Sequence, residues 1–179
     1  MRRPLLWAAV VTLIALDLIS KSWAFSATPV GDPPIHITSW FAIRTLTNPG
    51  GIWGMGAGLT TLLTLVRVCA VAALAWLILQ QPLKCKSGAW TLALLLSGAI
   101  GNLYDNLSAW LPWPGNGEVR DFLDVHFLPP SWYPVNWVWP FNPWPTFNFA
   151  DACISLGFVL LITGIAKVHL GKAEAEADD

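Results

Sequence analysis

The residues with chemical potential in this chain are carboxylates set beside apolar runs. Asp151 stands at the mouth of one such run, in the stretch TFNFADACISLG, and the next cation is Lys167. Asp17 and Lys21 are four residues apart, Asn102 and Asp105 three apart, and Asn148 and Asp151 three apart. At those spacings each pair shares one face of a helix. Asp121 lies in the sequence between the second and third pairs. Ionisable side chains in a membrane setting are costly, and the default reading of them is functional. Two carboxylates brought within about 3 Å cannot both ionise easily and come to share a proton. One then takes a proton from water, while the protonated one polarises a carbonyl. Asn102 and Asn148 are candidate donors to the developing oxyanion. Such chemistry needs no metal and no nucleotide cofactor.

Each feature also has a plain structural explanation. Asn148-x-x-Asp151 has the form of a capping box, and a carboxylate there suits the positive end of the helix dipole. Asp17 and Lys21 can form a local ion pair with a snorkelling lysine. Asp105 can mark a water boundary. Arg67 is expected to snorkel outward, and Asp32 and Asp124 are expected to be solvated loop residues.

These side chains must be positioned by elements of an unusual chain. Of 179 residues, 55% are hydrophobic and only 12% charged, and the mean hydropathy is +0.54. A soluble domain carries about twice that share of charge. The composition indicates an integral membrane protein of one domain. The net charge of −1 offers no basic face to neutralise phosphates, which argues against a nucleic-acid partner. Cys69, Cys85 and Cys153 have no CxxC spacing and support neither a disulfide framework nor a thiol redox site. The three histidines, His36, His126 and His169, are scattered, and no metal site is expected.

Apolar runs of about 20 residues read as spanning helices. There are four, over Pro4–Phe25, Leu59–Leu79, Gly88–Leu107 and Phe149–His169. Arg2 and Arg3 before the first run resemble the start of a signal peptide, but Asp17 and Lys21 interrupt the segment and favour a retained span. Arg2 and Arg3, Lys84 and Lys86, and Lys167 and Lys172 put both termini inside and the loops 26–58 and 108–148 outside. The first outer loop alternates around IHITSWFAI (35–43), which suggests short strands, and NPGG (48–51) is a turn signal. The second is rich in Pro and Trp without periodicity. Six tryptophans (110, 113, 132, 137, 139, 144) in one 35-residue stretch place it at the membrane surface. Residues 1–170 read as one domain and 171–179 as an acidic, disordered tail.

On this topology the polar groups meet. Asp17 and Lys21, Asn102 and Asp105, and Asn148 and Asp151 all fall at outer helix ends, with Asp121 in the outer loop. Gly98 and Gly101 can allow close helix approach. The spacings alone leave open whether Asp105 or Asp121 faces Asp151. A proton relay is the non-enzyme reading, but it needs polar groups through the full depth, and the inner halves of the spans are nearly bare. A serine protease lacks support, because there is no G-x-S-x-G.

Five segments occur in order: DLISK (17–21), TNPGGIWG (47–54), SGAIGNLYDN (97–106), VRDF (119–122) and FNFADACISLG (147–157). They resemble the motifs D-x-x-S/T-K, N-x-G-A/G-x-F/W-G/S, G-N-x-x-D-R, V-x-D-F and F-N-x-A-D of the lipoprotein signal peptidases, or signal peptidase II. The resemblance implies an all-α fold of four transmembrane helices with a small extracytoplasmic β-containing cradle. It implies an aspartyl endopeptidase of the bacterial inner membrane with both termini cytoplasmic and its site at the outer leaflet. Its partners would be lipid-modified prolipoprotein signal peptides and membrane lipids, with the chain monomeric. It would cut just before a diacylglyceryl cysteine. By the motif positions, Asp121 and Asp151 are the catalytic pair. Asn48, Gly50, Asn102, Asp105, Asn148, Asp17 and Lys21 line or support the site. Trp40 and Trp53 are expected on a lid that touches lipid. Two positions depart from the pattern. Ser97 replaces the first of a glycine pair, and Asn106 stands where the motif carries arginine. Arg120, directly before Asp121, is expected to supply the missing cation. The departure at 106 keeps an inactive homologue or lipoprotein-binding scaffold as the alternative.

Overall fold

A computed structural model of the chain describes residues 3–49, 60–126 and 144–169. Helix α1 (Pro4–Ala27) begins with Pro4 at its first turn, where a missing N–H loses nothing. No glycine or proline interrupts it afterwards. Helix α2 (Thr60–Gln80) is equally uninterrupted, with Arg67 its one charged residue. Both are long and apolar enough to cross a bilayer. Their flanks stay uncovered: Leu5, Val11 and Ile19 on α1 and Leu62, Leu65 and Leu79 on α2 are exposed. That surface suits hydrocarbon and not water.

Helix α3 (Lys86–Leu107) is the centre, packed against α1, α2 and helix α4 (Phe149–Ile162). Leu6, Val10, Ile78, Ala89, Leu92 and Leu96 form the apolar core between α1, α2 and α3. Two glycines of α3 set the approach of its neighbours. A Cβ on Gly98 would run into the Ala150 carbonyl, and one on Gly101 would lie 2.5 Å from Asp17 Oδ2.

The fourth helix is shorter than its apolar run. It stops at Ile162, and Gly164 adopts φ +72° just beyond, as a left-handed C-terminal residue does. The segment 163–169 then turns back onto the loop between α2 and α3. His169 N–H donates to Gln81 Oε1 (3.0 Å), and Gln81 Nε2 returns a bond to the His169 carbonyl (2.9 Å). Arg3 donates to the Gln81 and Pro82 carbonyls as well.

At the other end lies a three-stranded antiparallel sheet, β1 (Ile35–His36), β2 (Phe41–Asn48) and β3 (Val119–Val125), in the order β1-β2-β3. The 35–43 alternation does mark strands, although β2 extends to Asn48. β3 corrects the reading of 108–148 as aperiodic. It is held by β2 along one edge and by Phe147 along the other, where Phe122 and Leu123 N–H donate to the Phe147 carbonyl. Ala24, Ile43 and Phe122 bury together and fix the sheet to the end of α1.

Candidate active site

Helix α4 begins with the capping box that its sequence suggests. Asn148 Oδ1 accepts from Asp151 N–H (2.9 Å), and Asp151 Oδ2 accepts from Asn148 N–H (3.3 Å). A second carboxylate serves the same helix end, since Asp17 Oδ1 accepts from Ala150 N–H (2.9 Å). This contact requires α1, α3 and α4 to meet closely, which Gly101 allows. The cap does not use up Asp151. Its Oδ1 accepts from Asn102 Nδ2 at 2.7 Å.

The amides of Asn102 and Asn148 connect three helices and a strand. Asn102 Oδ1 accepts from Lys21 Nζ (3.1 Å) and from Asn148 Nδ2 (3.1 Å). That sets the flip of Asn102 and points its Nδ2 at Asp151. Asn148 Nδ2 also donates to Asp121 Oδ1 (2.6 Å), and Asn48 Nδ2 donates to Asp121 Oδ2 (3.1 Å). Asn148 thus bonds to Asp121 through its side chain and to Asp151 through its cap.

Behind this layer is a buried charge cluster. Lys21, fully enclosed, pairs with Asp17 Oδ2 (2.7 Å) and Asp105 Oδ2 (3.0 Å). Arg120 grips Asp105 Oδ1 through Nε and Nη2, both at 2.8 Å, and its backbone N–H reaches Asp105 Oδ2 (3.2 Å). Burying charge is tolerable only when each charge is paired and hydrogen-bonded, as these are. The Asp17–Lys21 pair is therefore a local i,i+4 pair, but it is not snorkelling. It is locked into α3.

Asp121 and Asp151 both line one cavity of about 930 Å³, together with Asn48, Asn102 and Arg67. Its remaining wall is mainly apolar and includes Leu46, Leu74, Leu95 and Trp144. Asp105 is not on that wall. Burial pushes the Asp121 carboxyl up to about 7, and the negative charge of Asp151 adds to the shift. The Asn48 and Asn148 amides and Lys21 act in the opposite sense.

The structure thus brings together Asp17, Lys21, Asn48, Asn102, Asp105, Asp121, Asn148 and Asp151. Gly50 and Trp53 lie outside the described residues, as do Trp132, Trp137, Trp139 and the acidic tail 171–179. Trp40 is exposed, with its carbonyl accepting from His126 N–H at the sheet end. Three sequence expectations need correction. The guanidinium beside Asn106 belongs to Arg67 and not to Arg120. Arg67 points into the protein and donates to Asn106 Oδ1, instead of snorkelling outward. Asp124 is buried and not solvated, paired with Arg44 (3.0 Å) and close to His126 (3.3 Å).

Comparison with known proteins gives the family of the chain. The family model described as signal peptidase (SPase) II matches residues 9–167. This chain belongs to the signal peptidase II family. A family member of this kind is a peptidase. The lipoprotein signal peptidase of Rhodococcus jostii (strain RHA1) is 34% identical over 90% of this chain and 72% of its own length. That of Mycobacterium avium (strain 104) is 33% identical, over 90% of this chain and 78% of its own. A bacterial membrane enzyme solved by the in meso method at 2.3 Å superposes with a TM-score of 0.70. The two are 21% identical, over 89% of this chain and 86% of the other, which supports the fold alone.

Proposed function

We propose that Asp121 and Asp151 are the catalytic pair of an intramembrane aspartyl endopeptidase that removes signal peptides from diacylglyceryl-modified prolipoproteins. Membership of the signal peptidase II family supports the peptidase class and the prolipoprotein substrate. One observation carries the assignment of the pair: both carboxylates face one cavity, and Asn148 bonds to each. Asp105 is instead committed to Lys21 and Arg120.

Burial raises the Asp121 carboxyl to about 7, which makes it the member of the pair that carries the proton up to neutral pH. Asp151 then takes the proton of a water molecule as that water attacks the scissile carbonyl. Asp121 donates its hydrogen bond to the carbonyl oxygen. Both Nδ2 hydrogens of Asn148 are engaged, on Asp121 and Asn102, so it has none left for the oxyanion. Asn102 uses one of its two on Asp151 and keeps the other.

The apolar wall suits a substrate whose acyl chains remain in the bilayer, with the cut made just before the lipidated cysteine. In this reading all four helices span the inner membrane of a bacterium and both termini are cytoplasmic. The sheet forms an extracytoplasmic cradle at the outer leaflet. The test is cleavage of a diacylglyceryl-modified prolipoprotein peptide by purified wild type and by D121N, D151N and D105N. D121N and D151N should lose activity by at least about a thousandfold, as when a group essential to chemistry is removed. D105N should retain measurable turnover. Wild-type-like turnover in D121N or D151N refutes the assignment.

A further inference from the structure

Arg67 is an anomaly in its helix. It is the one charged residue of α2, seven residues past Thr60, with Leu65, Val66 and Val68 exposed around it. An arginine at that position in an apolar helix is expensive unless something receives it. Its side chain turns inward and stands on the wall of the cavity that holds Asp121 and Asp151. Among the described residues it is the one cation on that wall.

What receives it is Asn106, almost wholly buried at the end of α3. Asn106 Nδ2 donates to the Gly117 carbonyl at 2.8 Å. That bond settles the flip of the amide and leaves its oxygen facing Arg67. Asn106 Oδ1 accepts from Arg67 Nη1. An arginine at position 106 has no acceptor and would instead meet Arg67 as a like charge. Asn106 and Arg67 are therefore complementary choices. The residue at 106 that departs from the family motif is the residue that holds the α2 guanidinium.

A guanidinium has five donors and no acceptor, and Asn106 occupies one of them. The guanidinium otherwise belongs to the wall of a cavity into which a substrate must bring acceptors. An extended peptide brings backbone carbonyls, and a diacylglyceryl group brings ester carbonyls. We infer that Arg67 takes the place of the arginine that the motif carries at 106, and that, held by Asn106, it binds a carbonyl oxygen of the substrate beside the scissile bond.

The inference rests on the cavity being the peptidase site. Steady-state cleavage of a diacylglyceryl-modified peptide by R67A, R67K, N106A and R67A/N106R tests it. Loss of one charge-assisted hydrogen bond should raise KM for R67A by roughly tenfold or more, with a smaller change in kcat. R67K should recover part of the loss, because lysine donates but lacks the fork. N106A, which frees Arg67 from its anchor, should raise KM by a lesser factor. R67A/N106R should bind substrate better than R67A. A peptide carrying ether-linked chains separates the two acceptors: an R67A defect that persists with it identifies a backbone carbonyl, and one that disappears identifies the ester. Either result supports carbonyl recognition.

R67A with KM within twofold of wild type overturns the inference. So does a kcat loss at unchanged KM, or a double variant no better than R67A. Peptide affinity of D121N against D121N/R67A, with thermal unfolding of both, separates a binding defect from a folding defect. If D121N and D151N cleave normally, the catalytic assignment fails, and the affinity comparison still decides the role of Arg67.

Discussion

Replacing Asp121 by asparagine should abolish cleavage and yet stabilise the protein at alkaline pH. Asp121 is raised from the ordinary carboxylate value of 3.8 to about 7, chiefly because it is buried. A group with a raised folded-state pKa binds more protons folded than unfolded between those two values. Stability is therefore lost as pH rises from about 4 to 7, and the full loss remains above pH 7. A shift from 3.8 to about 7 corresponds to roughly 4 kcal/mol at about 1.4 kcal/mol per pH unit. Asparagine at 121 escapes this. It does not escape mismatch, because Asn48 Nδ2 and Asn148 Nδ2 both donate to the carboxylate, and an amide offers one acceptor. One unsatisfied donor costs about 1–3 kcal/mol. The net gain at pH 8 is then about 2 kcal/mol, or roughly 4–8 °C in melting temperature for a chain of this size. At pH 4 the wild-type penalty has gone and only the mismatch is left, so D121N should melt at or below wild type. The assay is thermal unfolding in detergent at pH 4, 6 and 8. A melting difference that does not change across this range refutes the proton assignment. So does one that falls with pH.

Further predictions follow from the same geometry. For wild type, kcat/KM should decline as pH rises through about 7, because the proton held by Asp121 is lost; a pH–rate profile flat to pH 9 refutes this. Lys21→Met leaves Asp17 without its cation in a buried site, which should cost about 3–5 kcal/mol, read as a large drop in melting temperature. Gly101→Ala should disturb the Asp17 carboxylate and reduce both stability and turnover, whereas Gly31→Ala, in open space but with φ +97°, should leave turnover unchanged.

Much of this site was legible because helix spacing is a local property. Asn102 with Asp105, and Asn148 with Asp151, share faces as a period of 3.6 requires, and polar residues at the ends of neighbouring apolar runs had to meet. Other features depend on partners distant in sequence. Arg67 looked like a snorkelling residue because nothing near it in α2 marks its partner, which is 39 residues away. Asp124 looked solvated because its burial is decided by β2 and Arg44. β3 was hidden by the aromatic residues around it, and by pairing with β2 across more than seventy residues (Asn48 with Val119). The end of α4 was overrun because hydropathy registers Ile165 and Ala166 but not the left-handed Gly164 between them and the helix.

The capping box and the catalytic reading of Asp151 do not compete; the first makes the second possible. A carboxylate at N3 of a helix is held by its own backbone partner and lies where the dipole favours negative charge. Orientation is then passed inward from the charged cluster. Lys21 binds Asn102 Oδ1, so Asn102 must turn its Nδ2 to Asp151. Asn148 takes the N–H of Asp151 on its oxygen, so its Nδ2 must turn to Asp121. Neither amide can flip without losing a bond that a neighbouring donor dictates. In the proposed mechanism Asp17, Lys21 and Asp105 therefore act as positioning residues, off the cavity wall. Lys21 fixes Asn102, Asn102 receives Asn148, and the two asparagines fix the two aspartates. Asp121, on a strand and away from a helix end, has no such dipole and is the better seat for the proton. In the proposed mechanism the asymmetry of the pair follows from the elements that carry it: a helix N-terminus for the proposed base and a buried strand for the proposed acid.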